Sequence, residues 1–262
     1  MNSWPDLARR GRPLPIQGLT DMHSHLGRPS IAVPDPTAEA LVRVMDRVGV
    51  ERAVCSHMSC AATSTISRQG NRITLASLRA FPDRLLGYAS LRPWSAQIVR
   101  DEAEWALDAG FAGFKLFYSG GISYRDPALE PAYALAHERR RPLLFHTWGE
   151  PSVLEDLAAI ARDFPGVSIL AAHAGTANEE GYVALAKTAP NVWLDPVLSR
   201  VPRGLTERFV AAVGADRIVW SSDAVFIGVT QQIGRVVGAE IDEDAMRQIL
   251  AGNAARILSA MR

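Results

Sequence analysis

Asp21-Met22-His23-Ser24-His25-Leu26 is the stretch on which the reading of this chain turns. It follows a proline-broken leader (Pro13, Pro15) and reads as the first buried strand. Strand side chains alternate between two faces, so His23 and His25 project together, with Asp21 on the same side. A strand in a barrel wall has little use for two imidazoles on one face. Burying them without polar partners costs on the order of several kcal/mol. A cation shared between them removes that cost.

Working outward, short apolar or β-branched runs recur at 19–26, 53–58, 85–91, 113–117, 143–148, 167–173, 192–197 and 218–223. Helix-period segments alternate with them at 37–48, 67–80, 96–109, 127–139, 152–162, 179–187 and 206–213, and a last one covers 242–258. Thr37, Ser95 and Ser152 sit where N-caps are expected, Pro127 suits a first helical turn, and Gly49, Gly110 and Gly214 follow helices where a left-handed cap is needed. Strands alternating with helices imply a parallel sheet. The 262 residues match the roughly 250 of one (β/α)8 barrel. A single-domain TIM barrel over 1–262 is therefore expected, with 1–17 as a short N-terminal leader. The competing open α/β sheet would carry a glycine-rich turn after its first strand, and here the histidine pair stands in that place.

Bulk properties narrow the function. Lys plus Arg and Asp plus Glu each number 28, with no long block of one sign, which speaks against nucleic acid as a partner. No apolar run reaches the length of a membrane span, and no apolar segment follows Arg9 and Arg10 to make a secretory signal. Two cysteines, Cys55 and Cys60, read as reduced thiols of a cytoplasmic protein, with one bridge between them the alternative.

The strand ends carry the chemistry. Of six histidines, His23 and His25 lie on the first strand, His57 ends the second, His146 lies on the fifth and His173 ends the sixth, while only His137 falls in a helix. Asp223 ends the eighth. Barrel enzymes assemble their sites from the C-terminal ends of several strands. Each residue alone has an ordinary explanation: a lone His-x-His is incidental as often as not, and Asp223 by itself can cap a turn. The conjunction of four strand ends favours one divalent metal, Zn2+ first, with Mn2+ or Fe2+ also suited to nitrogen and carboxylate ligands. Arg92, Trp148 and Arg200 lie where they can reach a substrate, or where they simply pair and pack within loops. Asp195 ends the seventh strand and can steady loops, and His137 beside the basic run Arg139–Arg141 reads as a solvated helix end.

The motifs Asp21–Leu26, Phe145-His146-Thr147, Ala172-His173-Ala174-Gly175 and Ser222-Asp223 resemble those of the amidohydrolase superfamily. They are most similar to its compact branch, which includes aminocarboxymuconate-semialdehyde decarboxylase, related aromatic-acid decarboxylases and metal-dependent hydrolases. The resemblance implies that His23, His25, His146 and Asp223 bind the metal and that His173 is the general base, with Asp223 also a proton shuttle. It implies no added β-sandwich, since only one helix is expected after the eighth strand, and it allows a homodimer. Lys115 on the fourth strand stays open: carboxylated, it would bridge a second metal bound by His173; otherwise it is an electrostatic group for an anionic substrate, with Trp148 as a wall. Hydrolysis of a small ester, lactone or amide is the first expectation, and non-oxidative decarboxylation of an unsaturated or aromatic acid is the alternative. The TatD-like deoxyribonucleases share the His-x-His pair but typically carry glutamate where Lys115 stands.

Overall fold

The structure, a computed structural model, describes residues 3–28, 33, 35–61, 64–117 and 122–262. Seven parallel strands follow one another in a single sheet: β1 (Thr20–Leu26), β2 (Arg52–His57), β3 (Leu85–Leu91), β4 (Gly113–Phe117), β5 (Pro142–His146), β6 (Ser168–Ala172) and β7 (Val192–Asp195). The eighth expected strand is not a regular ladder strand. Residues 218–224 instead hold the eighth place by separate bonds to both neighbours. Ile218 bridges Leu194, Val219 N–H donates to the Leu194 carbonyl (2.9 Å), Met22 N–H donates to Trp220 (3.2 Å), and Asp223 N–H donates to His23 (2.8 Å). At the end of this segment Asp223 takes a left-handed φ of 51°, which no strand continues through.

Helices lie between the strands: α1 (Trp4–Arg9), α2 (Ala38–Val48), α3 (Ser64–Ala80), α4 (Ala96–Asp108), α5 (Glu130–Glu138), α6 (Pro151–Asp163), α7 (Glu179–Thr188), α8 (Leu205–Val213) and α9 (Val229–Val237). The chain then forms α10 (Glu243–Arg247) and α11 (Asn253–Ser259), joined by a π-turn at Gln248–Gly252. Thr37 and Ser95 cap α2 and α4 through their hydroxyls, as expected. Ser152 does not cap α6, because Pro151 already occupies the first turn and Glu150 precedes it. Two helices differ from expectation. The leader contains α1, whose Trp4 is buried and whose neighbour in space is α9. A helix besides the C-terminal one, α9, also follows the eighth position; its start is unmarked because Gly228 supplies no capping side chain.

Two apolar layers hold the barrel. Outward residues such as Ala53, Phe114, Phe145 and Ile169 pack under the helices. Inside, Met22, Val54, Tyr88, Leu144, Leu170, Trp193 and Val219 fill the lower half, and Ala254, Ile257 and Leu258 of α11 close its floor. Cys55 is a free, buried thiol, pushed up to about 12 by burial, and the Cys60 side chain lies outside the described residues. Among the described residues, no helix is long and apolar enough to cross a membrane.

Candidate metal centre

The upper half of the barrel interior is polar, and β1 delivers its first two groups. The strand carries a bulge: Asp21 lies opposite Ala53, and Ser24 lies opposite Cys55, so an extra residue stands between them. Alternation does not carry across that irregularity. Asp21 therefore does not join the imidazoles, contrary to the strand-period expectation. It accepts from the backbone N–H of His23 (3.1 Å) and of Ser222 (3.0 Å) and bonds the Ser222 hydroxyl, tying β1 to the eighth position. Burial raises its carboxyl to about 7.

His23 and His25 do converge. Their Nε2 atoms stand 3.1 Å apart, and Asp223 Oδ1 lies 3.2 Å from His25 Nε2 and 3.6 Å from His23 Nε2. The far side of each ring decides what those atoms are. His25 Nδ1 faces the carbonyl of Ser56 (3.3 Å) and its hydroxyl (3.1 Å); a carbonyl only accepts, so Nδ1 carries the proton. His23 Nδ1 faces Asp195 Oδ2 at 3.0 Å and donates to that group when it is ionised. Two imidazole lone pairs and a carboxylate oxygen then face one point, with no proton of their own to share. The ligand atoms of His23, His25 and Asp223 all lie within 4.8 Å of one another, and all three residues are buried. This donor set fits a divalent transition-metal ion, and a carboxylate touching the far nitrogen of one imidazole is a common companion of such ions. Lys115, on β4, brings its Nζ to 3.1 Å from His23 Nε2.

His146 stands beside this trio, paired with His173 rather than gathered with the other expected ligands. His173 Nε2 lies 3.2 Å from His146 Nδ1, and His173 Nδ1 donates to the Val197 carbonyl (2.8 Å). The other ring nitrogen of His146, Nε2, is buried with no hydrogen-bond partner. Phe117 stacks on His146 (centroids 4.3 Å, 29° between planes), and Trp148 lies nearly parallel to His173 (5.0 Å, 13°). Trp148 remains 40% exposed, so it walls the mouth of the site. Both His173 and Asp223 have left-handed backbones, with φ of 64° and 51°. Strain of that kind on non-glycine residues tends to gather where side chains must be aimed.

The charges follow from burial. It lowers the basicity of His23 and His146 well below the ordinary range and takes His173 to about 4, with Asp223 opposing the shift at His173. Burial pushes the Asp223 carboxyl up, but the His25 hydrogen bond and the charges of His25, His173 and Lys115 leave it below its usual value. Asp195 is held well above by burial, against the Ser221 hydroxyl and the charge of Lys115. A cation on the far side of His23 favours its ionised form.

Other expected residues stand further off. His57 is half-buried; it accepts from Ser59 N–H (3.1 Å) and packs on Gly27, where a Cβ would come within 2.1 Å of its Nε2. Arg92 follows β3, and Arg200 is exposed beyond β7. His137 is exposed and accepts from the Gly166 backbone (2.8 Å). Sequence reasoning missed Ser56 and Phe117 and undervalued Asp195. The register could have found Ser56, which lies directly opposite His25.

The fold and this cluster define a (β/α)8 barrel with a group of residues in its upper chamber that could hold a metal ion. The chain belongs to the amidohydrolase family, whose sequence model matches residues 16–259. It is similar to a crystallised 2,6-dihydroxybenzoate decarboxylase complexed with 2,6-dihydroxybenzoate, at 16% identity over 93% of this chain and 99% of that one, with a TM-score of 0.76. A dihydroxybenzoic acid decarboxylase from Polaromonas sp. JS666, with bound manganese and 2-nitroresorcinol, gives 14% identity, 92% and 97% coverage and a TM-score of 0.71. A curated relative, an HTH-type transcriptional regulator from Saccharopolyspora erythraea, is 31% identical over 148 residues, 51% of this chain; the match spans 59% of that relative.

Proposed function

We propose that this chain is a metal-dependent decarboxylase that removes CO2, without oxidation, from an aromatic or unsaturated carboxylic acid. The observation that carries the reading is the convergence of two imidazole lone pairs and Asp223 on one buried point, directly beside stacked aromatic walls. The names of the similar structures shift support from hydrolysis toward decarboxylation.

His23, His25 and Asp223 would hold the ion, with His146 turning one ring nitrogen toward it as a fourth ligand. When bound, the cation supplies a positive centre that fixes an anionic substrate and stabilises charge developing on its oxygens. One ion suffices in this reading, and manganese suits the set as well as zinc. The Lys115 ammonium, directed at His23, adds positive charge for the substrate rather than a carbamate bridge to a second metal. Trp148 presents a flat face to a planar ring. Asp223 takes a proton that enters with the substrate and delivers it to the carbon bearing the carboxylate. The carbon–carboxylate bond then breaks, its electron pair returns to the ring, and CO2 leaves. His173 is neutral at pH 7, and its Nδ1–H is committed to Val197. Its Nε2 thus accepts from His146 Nδ1, 3.2 Å away, which leaves His146 Nε2 as that ring's free lone pair.

Hydrolysis of an ester, lactone or amide remains the second reading, since an ionised Asp223 is also suited to take a proton from water. Purified protein loaded with Mn2+ or Zn2+ and given a panel of hydroxybenzoates, unsaturated acids, esters and lactones tests both. CO2 release from the acids is expected; ester or lactone cleavage without CO2 release would overturn decarboxylation. Failure to bind either metal would overturn the metal reading itself.

A further inference from the structure

Behind Asp195, away from the metal cluster, lies a small cavity of about 20 Å3 lined by Asp195, Trp220, Ser221, Gln232 and Arg235 among others. Each of these five carries a buried polar atom without a hydrogen-bond partner: Asp195 Oδ1, Trp220 Nε1, Ser221 Oγ, Gln232 Nε2 and Arg235 Nε. Asp195, Trp220, Ser221 and Gln232 are more than nine-tenths buried. Arg235 closes the outer side by donating to the carbonyls of Val201 (3.2 Å) and Ser199 (3.0 Å). An unsatisfied buried group costs about 1–3 kcal/mol, so a cluster of five is not a stable arrangement by itself. The indole, the amide and the Arg235 Nε–H are donors, the carboxylate oxygen is an acceptor, and the Ser221 hydroxyl can be either. The volume is that of one water molecule, which needs two to four polar partners.

We propose that one ordered water in this cavity accepts from Gln232 and Trp220 and donates to Asp195 Oδ1, which makes Gln232 a positioning residue for the metal centre. The chain of contact runs from α9 to the water, to Asp195, and through Asp195 Oδ2 to His23 Nδ1, 3.0 Å away. Its consequence is at the opposite nitrogen. An Asp195 side chain held in that orientation keeps its contact with His23 Nδ1 and so keeps His23 Nε2 aimed where a cation would sit. Gln232 is a polar residue on the buried face of α9, between Val229, Ile233 and Val236, where packing alone would favour an apolar side chain.

The inference rests on the proposed metal reading, and the test separates the two. A high-resolution crystal structure of the wild-type chain should show a water within hydrogen-bond distance of Asp195 Oδ1 and Gln232 Nε2. Titration with Mn2+ should give a dissociation constant about tenfold weaker for Gln232→Leu. Trp220→Phe, which removes only the N–H, should weaken it about threefold. A merely structural role would lower the melting temperature of the metal-free protein and leave Mn2+ binding unchanged. A cavity holding no water, or Mn2+ affinity equal to wild type in Trp220→Phe and in a folded Gln232→Leu, would overturn the inference. Wild-type protein that binds no Mn2+ would overturn the metal reading, and the water would still be judged by the crystal structure.

Discussion

The two halves of the barrel interior are built from the same strands and the same inward face, yet they differ in kind. In the lower half, Val54, Tyr88, Leu144, Trp193 and Val219 pack against one another and α11. Two residues further along the same strands stand Ser56, Ser90, His146, Asp195 and Ser221. One step of the two-residue period turns a packed floor into a polar chamber. The floor supplies stability through apolar burial. The chamber holds groups whose charges burial disfavours, and it relies on the floor and on mutual hydrogen bonds to keep them in place.

Substitutions can break this division or sharpen it. The largest effect is expected in the chamber. Asp223→Asn should lower turnover by about 10³-fold or more and reduce metal content, while the far-ultraviolet spectrum stays native. A variant that kept wild-type turnover would remove Asp223 from the chemistry. In the floor, Leu144→Ala should cost about 2–5 kcal/mol in a denaturation experiment and leave metal stoichiometry unchanged. Loss of metal from that variant in the folded state would mean that the halves are not separable. Asp195→Asn should weaken Mn2+ binding by about 10–100-fold, read by titration, with His23 still in place.

A pH experiment probes the chamber without metal. Burial takes His173 to about 4 when folded, against about 6.5 for a free imidazole. Its stabilising contribution is complete above the unfolded value and is lost as pH falls toward the folded one. From about pH 7.5 to about pH 5, the metal-free protein should lose about 2 kcal/mol more stability than His173→Gln. Equal losses would show that His173 is not held neutral by burial. The smallest effect concerns the mouth. Trp148→Ala should raise KM for an aromatic acid by about tenfold, with kcat and melting temperature little changed. An unchanged KM would free Trp148 from any part in binding.

Much of the site was legible because strand ends were legible. His23, His25, His146, His173 and Asp223 each closed an apolar run, and the barrel rule placed such ends on one rim. Asp21 was misplaced because a bulge leaves no mark in a two-residue pattern. The left-handed backbone of Asp223, at the end of the eighth position, is equally silent in the letters Ser222-Asp223-Ala224. α9 was missed although Val229, Ile233, Val236 and Val237 give it an apolar face, because Gly228 at its start carries no capping side chain to mark a helix.

What the sequence determined by itself was the alternation of strands and helices, the barrel that follows from it, and the residue types at the upper rim, because these depend on local periodicity. Which of those residues meet was decided only in three dimensions. His23 finds Asp195 across 172 positions of chain, and His25 finds Ser56 across 31. Those long-range bonds settle which ring nitrogen keeps its lone pair. Strand spacing can bring His23 and His25 to one face, but the partners behind the rings decide that their Nε2 atoms face one point.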